Sequence, residues 1–142
     1  MSKIEQRLNE LGIVLPPTSE PKFSYVPVNQ TGNLLYTSGF DCRVNGKLIY
    51  EGKLGSDLTI EQGQEAARQV VINLLAAMKG YLGDLDRIVK IVKMLAFVNS
   101  APGFCEQPYV VNGASDLLIQ IFGENGRHAR SAIGTSDLPF QI

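Results

Sequence analysis

Apolar positions along the chain recur with two periods, and the longest regular stretch is helical. Ala66, Ala67, Val70, Val71, Leu74, Leu75, Met78 and Tyr81 repeat at three- and four-residue spacing, with Arg68, Gln69 and Lys79 between them. Thr59-x-x-Gln62 ahead of this stripe fits a capping box, and Gly83 behind it fits a C-cap. Tyr109, Val110, Ala114, Leu117, Leu118, Ile121 and Phe122 mark a second helix, with Pro108 in its first turn and Gly123 at its end. A short amphipathic helix is expected over Ile4–Leu11, stopped by Gly12, with linker-like sequence at Thr18–Lys22.

The remaining pattern is β. Phe23–Val28 reads as extended, with Pro27 suggesting an edge, followed by a turn over Asn29–Asn33 and a strand over Leu34–Ser38. Arg43–Ile49 is a hairpin about Asn45-Gly46, the pair favoured by a type I′ turn. Ile88–Asn99 is a long, β-branched apolar run in which Lys90 and Lys93 break strict alternation, so a central strand with a bulge or a switch of face is expected. His128–Gly134 is a final short strand. The order predicts an α+β fold, a sheet with two long helices packed on one face. It is read as a single domain over 1–142 with an N-terminal helical extension over 1–20. The other sheet face, to which Leu35, Val92 and Ala132 would contribute, must be solvated or covered by another subunit, and self-association is the expectation.

Composition narrows the chemistry. Lys plus Arg number 13 and Asp plus Glu 14, a net charge of −1 with no basic run, which argues against a nucleic-acid partner. So small a net charge gives little colloidal repulsion and suits association. Cys42 and Cys105 form no CxxC, and a single histidine argues against a His-based metal site. No apolar run approaches a membrane span, and the N-terminus lacks the apolar core of a signal peptide, so a cytoplasmic location is expected. There is no phosphate loop, dinucleotide fingerprint or HExxH, and Ser38 does not sit in GxSxG.

The informative segment is His128-Ala129-Arg130-Ser131-Ala132-Ile133-Gly134. A strand places residues 128, 130, 132 and 134 on one face, so Arg130 has small neighbours beside it. A guanidinium so placed suits a bidentate carboxylate clamp. A surface arginine and an inter-subunit ion pair are the alternatives that the pattern leaves open. His128 reads as a pocket rim or a hydrogen-bonded structural residue.

Tyr25-Val26-Pro27, Gly32-Asn33 through Ser38-Gly39, Phe104 and Asn112, Ala129-Arg130-Ser131-Ala132 and Leu138-Pro139 together resemble the YjgF/Rid family, the reactive-intermediate (enamine/imine) deaminases. The resemblance spans about residues 22 to 140. The N-terminal helix, the Asn-Gly hairpin and Pro102-Gly103 look like a divergent branch. It implies a chorismate mutase-like mixed sheet backed by two helices and assembled as a homotrimer, with ligand clefts between subunits. It further implies that Arg130 grips a substrate carboxylate. Ser38 and Gly39 would line the pocket, Tyr25 would lie at its mouth and Asn112 near the cleft, while Ala132 stands where the family often has cysteine.

The implied reaction is hydrolysis of a 2-imino acid to a 2-keto acid and ammonia, with no metal or cofactor. A trimeric small-carboxylate-binding protein with weak or no turnover is the alternative. An endoribonuclease, suggested by old family labels, is disfavoured by the charge balance. Family members carry, after the Leu-Pro, a last strand with a glutamate that positions the hydrolytic water. In residues 1–142 neither Glu106 nor Glu124 is expected to replace it.

Overall fold

The computed structural model describes residues 2–18 and 23–141; the expected linker Thr18–Lys22 lies, apart from Thr18, outside the described residues. Among the described residues three α-helices form: α1 (Lys3–Glu10), α2 (Ile60–Leu82) and α3 (Gln107–Phe122). The same residues form six strands: β1 (Val28–Thr31), β2 (Leu34–Thr37), β3 (Arg43–Val44), β4 (Lys47–Leu48), β5 (Lys93–Asn99) and β6 (Ala129–Thr135). Short 3₁₀ turns occupy Leu85–Arg87, Gly123–Gly126 and Pro139–Gln141.

The long helices begin and end where their local chemistry dictates. The Thr59 hydroxyl accepts from the Gln62 amide and the Gln62 side chain accepts from the Thr59 amide, satisfying two orphan donors of α2. Gly83 and Gly123 follow α2 and α3 at positive φ, 81° and 64°. The Asn45-Gly46 turn has φ 53° and 81°, positive at both central positions as a type I′ turn requires.

The core lies between the helices. Val71, Ile72 and Leu75 of α2 pack with Ala114, Leu117, Leu118 and Ile121 of α3, and Leu75 is 0% exposed. Leu8 of α1 and Ile13 are buried in the same cluster, so the N-terminal helix packs into the core. Its first turn is held at a distance in sequence: the Lys3 and Ile4 amides each donate to the Asp86 carboxylate at 2.9 Å. A second cluster, Leu54, Val98, Val110 and Val111, joins α3 to β5.

The strands pair as three two-stranded ladders. β1–β2 and β3–β4 are antiparallel, while β5–β6 are parallel and joined through α3 as a β-α-β unit. The mixture of parallel and antiparallel pairs is present, as separate ladders instead of one sheet.

Several local expectations change. Asn29 and Gln30 belong to β1, paired with Tyr36 and Leu35, because the hairpin loop needs only Gly32-Asn33 with Gly32 at φ 55°. The run Ile88–Asn99 pairs only from Lys93, where Ala129 begins β6; Ile88 and Ile91 pack on the core, and Val89 and Val92 are exposed. From Lys93 the register is continuous with no bulge, so Lys93, Leu95 and Phe97 share the face away from the helices. Ala132 packs into the second cluster, on the side of α3, and so does not contribute to the outer face as expected. Leu95 (57% exposed), Phe97 (49%) and Ile133 (44%) form that face instead.

Candidate functional site

Arg130 sits in β6, in register with Met94 of β5, and its side chain reaches the first turns of α3. Pro108, Asn112 and Ser115 lie at i, i+4 and i+7, one stripe of that helix. The Arg130 Nη1 donates to Asn112 Oδ1 at 2.9 Å and to Ser115 Oγ at 3.0 Å, and Nη2 donates to the Pro108 carbonyl at 3.1 Å. All three acceptors are neutral. Among the described residues no carboxylate lies within ion-pair distance of this guanidinium, and none accepts from its Nε–H. Hydrogen bonding therefore fixes the guanidinium plane while its charge stays uncompensated.

Ser115 is 8% exposed and bridges two groups. Its Oγ lies 2.9 Å from His128 Nε2, and His128 Nδ1 lies 2.7 Å from the Gly126 carbonyl. His128 is thus the hydrogen-bonded structural residue anticipated, on the same side of the strand as Arg130. Ser115 was not singled out from the sequence. The available signal was its place three residues beyond Asn112 on one helix face.

The structure brings Arg130 and Asn112 together, with Ala132 next on the same face of β6. Within one copy of the chain, Tyr25, Ser38 and Gly39 are not among Arg130's hydrogen-bond partners. Ser38 is tied to its own hairpin base, its amide to the Pro27 carbonyl at 2.9 Å and its hydroxyl to the Val26 carbonyl at 2.6 Å. Tyr25 is exposed, and a Cβ on Gly39 would meet nothing within 4 Å. Two concavities lie elsewhere. One of about 710 Å³ runs between residues 55–60 and 101–106, and one of about 120 Å³ lies beside Lys53, Asp57, Asn99 and Asp137.

Among the described residues, Tyr50 and Asp86 are shifted, neither of them a partner of Arg130. The Tyr50 hydroxyl donates to Glu65 Oε2 at 2.6 Å, and this bond pushes the phenol up, with desolvation and the Glu65 charge acting the same way. The Ile4 and Lys3 amides hold Asp86 below the usual aspartate value. No set of three or more His, Cys, Asp or Glu side chains among the described residues is placed to hold a metal ion. No described helix is long and apolar enough to cross a membrane.

Helices layered with small ladders, and a cation held at the seam of a β-α-β unit, define an α+β protein of chorismate mutase-like architecture. The chain belongs to the YjgF family: the family model described as "YjgF/chorismate mutase-like, putative endoribonuclease" matches residues 5–141. It is 44% identical over 139 residues to Protein TCP17 of Trypanosoma cruzi, covering 97% of this chain and 87% of that protein. It is 45% identical to the solved Agrobacterium tumefaciens protein Atu1372, described as of unknown function, with TM-score 0.88 and coverage of 97% and 84% of the two chains. A Shewanella oneidensis structure described as a "putative endoribonuclease" is 36% identical with TM-score 0.94, covering 99% of this chain and 93% of that one.

Proposed function

We propose that this protein hydrolyses 2-imino acids to 2-keto acids and ammonia, without a cofactor, at a cleft completed by a second copy of the chain in a homotrimer. The observation that carries the reading is the Arg130 guanidinium, oriented by three neutral acceptors and lacking a carboxylate partner among the described residues. A planar, charged donor held this way is matched to a carboxylate, to which it presents a fork at no further cost in orientation.

The chemistry asks little beyond that clamp. A protonated imine carbon is already electrophilic. Water adds to it to form the C–O bond, the resulting carbinolamine passes a proton to nitrogen, and the C–N bond breaks. R–C(=NH₂⁺)–COO⁻ and H₂O become R–CO–COO⁻ and NH₄⁺. Holding the carboxylate fixes the imine carbon relative to the incoming water. In the trimer Ser38, Gly39 and Tyr25 of a neighbouring copy face Arg130, Asn112 and Ala132. The exposed row of Leu95, Phe97 and Ile133, on the opposite face of β5–β6 from Arg130, supports self-association of the chain. A cytoplasmic setting fits the reading. The endoribonuclease label of relatives finds little support in a chain of net charge −1.

The test is Arg130→Ala. Truncating one partner of a charge-assisted pair in a partly desolvated cleft costs roughly 2–5 kcal/mol. Calorimetric affinity for 2-ketobutyrate should therefore fall more than tenfold with far-UV circular dichroism unchanged. Arg130→Lys should recover only part, because an ammonium has no planar fork. Equal affinity in wild type and Arg130→Ala would end the clamp reading. Pyruvate release from freshly generated 2-aminoacrylate, faster than background, separates the deaminase from a carboxylate-binding protein without turnover.

A further inference from the structure

The hydrogen bonds around Ser115 have only one consistent direction when the imidazole is neutral. The Gly126 carbonyl is an acceptor, so His128 Nδ1, 2.7 Å away, carries the ring proton. Nε2 is then an acceptor, and the Ser115 hydroxyl, 2.9 Å from it, donates its single proton there. The hydroxyl lone pairs are left to receive Arg130 Nη1 at 3.0 Å. Asn112 Oδ1 takes a second Nη1 bond at 2.9 Å.

We infer that His128 and Ser115 are positioning residues for the Arg130 clamp: the imidazole, locked in its Nδ1–H tautomer by the Gly126 carbonyl, orients the buried Ser115 hydroxyl so that it holds the guanidinium in its carboxylate-binding plane. The inference rests on the carboxylate reading of Arg130 and goes beyond it by assigning two residues that touch no substrate. A bare guanidinium on a flexible stem would have to be ordered by the ligand, at the expense of affinity. Here the ordering is built in by a chain of three bonds that begins at a backbone carbonyl. The arrangement parallels the way metal-ligating histidines are aimed by the group behind them.

The experiment uses the whole 142-residue chain and 2-ketobutyrate, read by calorimetry. Ser115→Ala removes the bridge, and His128→Asn keeps a donor near Gly126 but removes the acceptor at Nε2. Each should weaken binding about 3- to 10-fold, the range of one oriented hydrogen bond. His128→Gln, whose Oε1 can take the hydroxyl proton, should restore most of that loss. In an Arg130→Ala background Ser115→Ala should change affinity less than about twofold, because residues acting through Arg130 have nothing left to position.

A second readout needs no variant. His128 is the only histidine of the chain, so its ring nitrogens give one set of ¹⁵N signals, and these should report the Nδ1–H tautomer at neutral pH. An Nε2–H tautomer overturns the inference. So does undiminished affinity in both Ser115→Ala and His128→Asn when Arg130→Ala has lost binding, an outcome that leaves the clamp itself standing. Loss of binding in none of the three variants removes both readings together.

Discussion

At the scale of single residues, glycine decides how closely the two long helices meet. A Cβ on Gly113 of α3 would collide with the backbone carbonyl of Gln64 in α2, and one on Gly63 would lie 2.9 Å from side-chain atoms of both Leu54 and Val110. The obstacle at Gly113 is main chain, so no rotamer change relieves it and the helices must separate. Alanine contributes only about 1 kcal/mol of helix propensity over glycine, less than the overpacking it causes. Gly113→Ala is therefore expected to destabilise the fold by about 1–3 kcal/mol, measured by urea unfolding. A midpoint at or above wild type would show that the helices can slide apart freely. Arg130 illustrates the other side of this scale. Parity along a strand set its neighbours correctly, yet its three hydrogen-bond acceptors all come from α3.

Elements here are held by bonds between places distant in sequence. The first helix is short and would be marginal alone; its amides at Lys3 and Ile4 dock on Asp86, and Arg7 Nε donates to the Gln120 carbonyl at 2.8 Å. The hydrogen bond from Ile4, then that from Lys3, keeps the Asp86 carboxyl below its usual value. A folded-state pKa that is depressed gives a contribution complete above the unfolded value, about 3.9, and lost as pH falls through the folded one. Docking of α1 should thus be insensitive to pH near neutrality and weaken only in acid below about pH 4. Hydrogen exchange along α1 between neutrality and that range checks this. Protection that declines near neutrality would assign the effect to another group, and Asp86→Asn should flatten the acid response.

For the whole molecule, the consequential feature is the face of β5–β6 turned away from the helices. Leu95, Phe97 and Ile133 stand on it half exposed, while α2 and α3 cover the other side. In the proposed trimer this row is buried, and Arg130, on the α3 side of β6, would meet Tyr25, Ser38 and Gly39 of a neighbouring copy. Phe97→Lys should leave one copy folded, since half-exposed surface substitutions usually move stability by no more than about 0.5 kcal/mol. It should nonetheless convert a trimer mass to that of a monomer in light scattering and weaken 2-ketobutyrate binding with it. An unchanged mass would place the subunit contact elsewhere.

The sequence by itself determined the elements whose causes are local. Thr59-x-x-Gln62, Pro108, Gly83 and Gly123 set the ends of α2 and α3, and Asn45-Gly46 set its hairpin, because caps and turns are settled by groups within a few residues. Strand alternation also marked Arg130, and the family resemblance marked Asn112, eighteen positions apart and joined in the structure at 2.9 Å. Tertiary structure alone decided where the run from Ile88 stops being unpaired, since a strand extends only as far as its partner and Ala129 begins at Lys93. It decided that Ala132 faces α3, because alternation gives parity without saying which side the helices occupy. It gave Ser115 its place between Arg130 and His128, since hydrogen-bond partners on three elements are chosen by packing and leave no periodic trace in the chain.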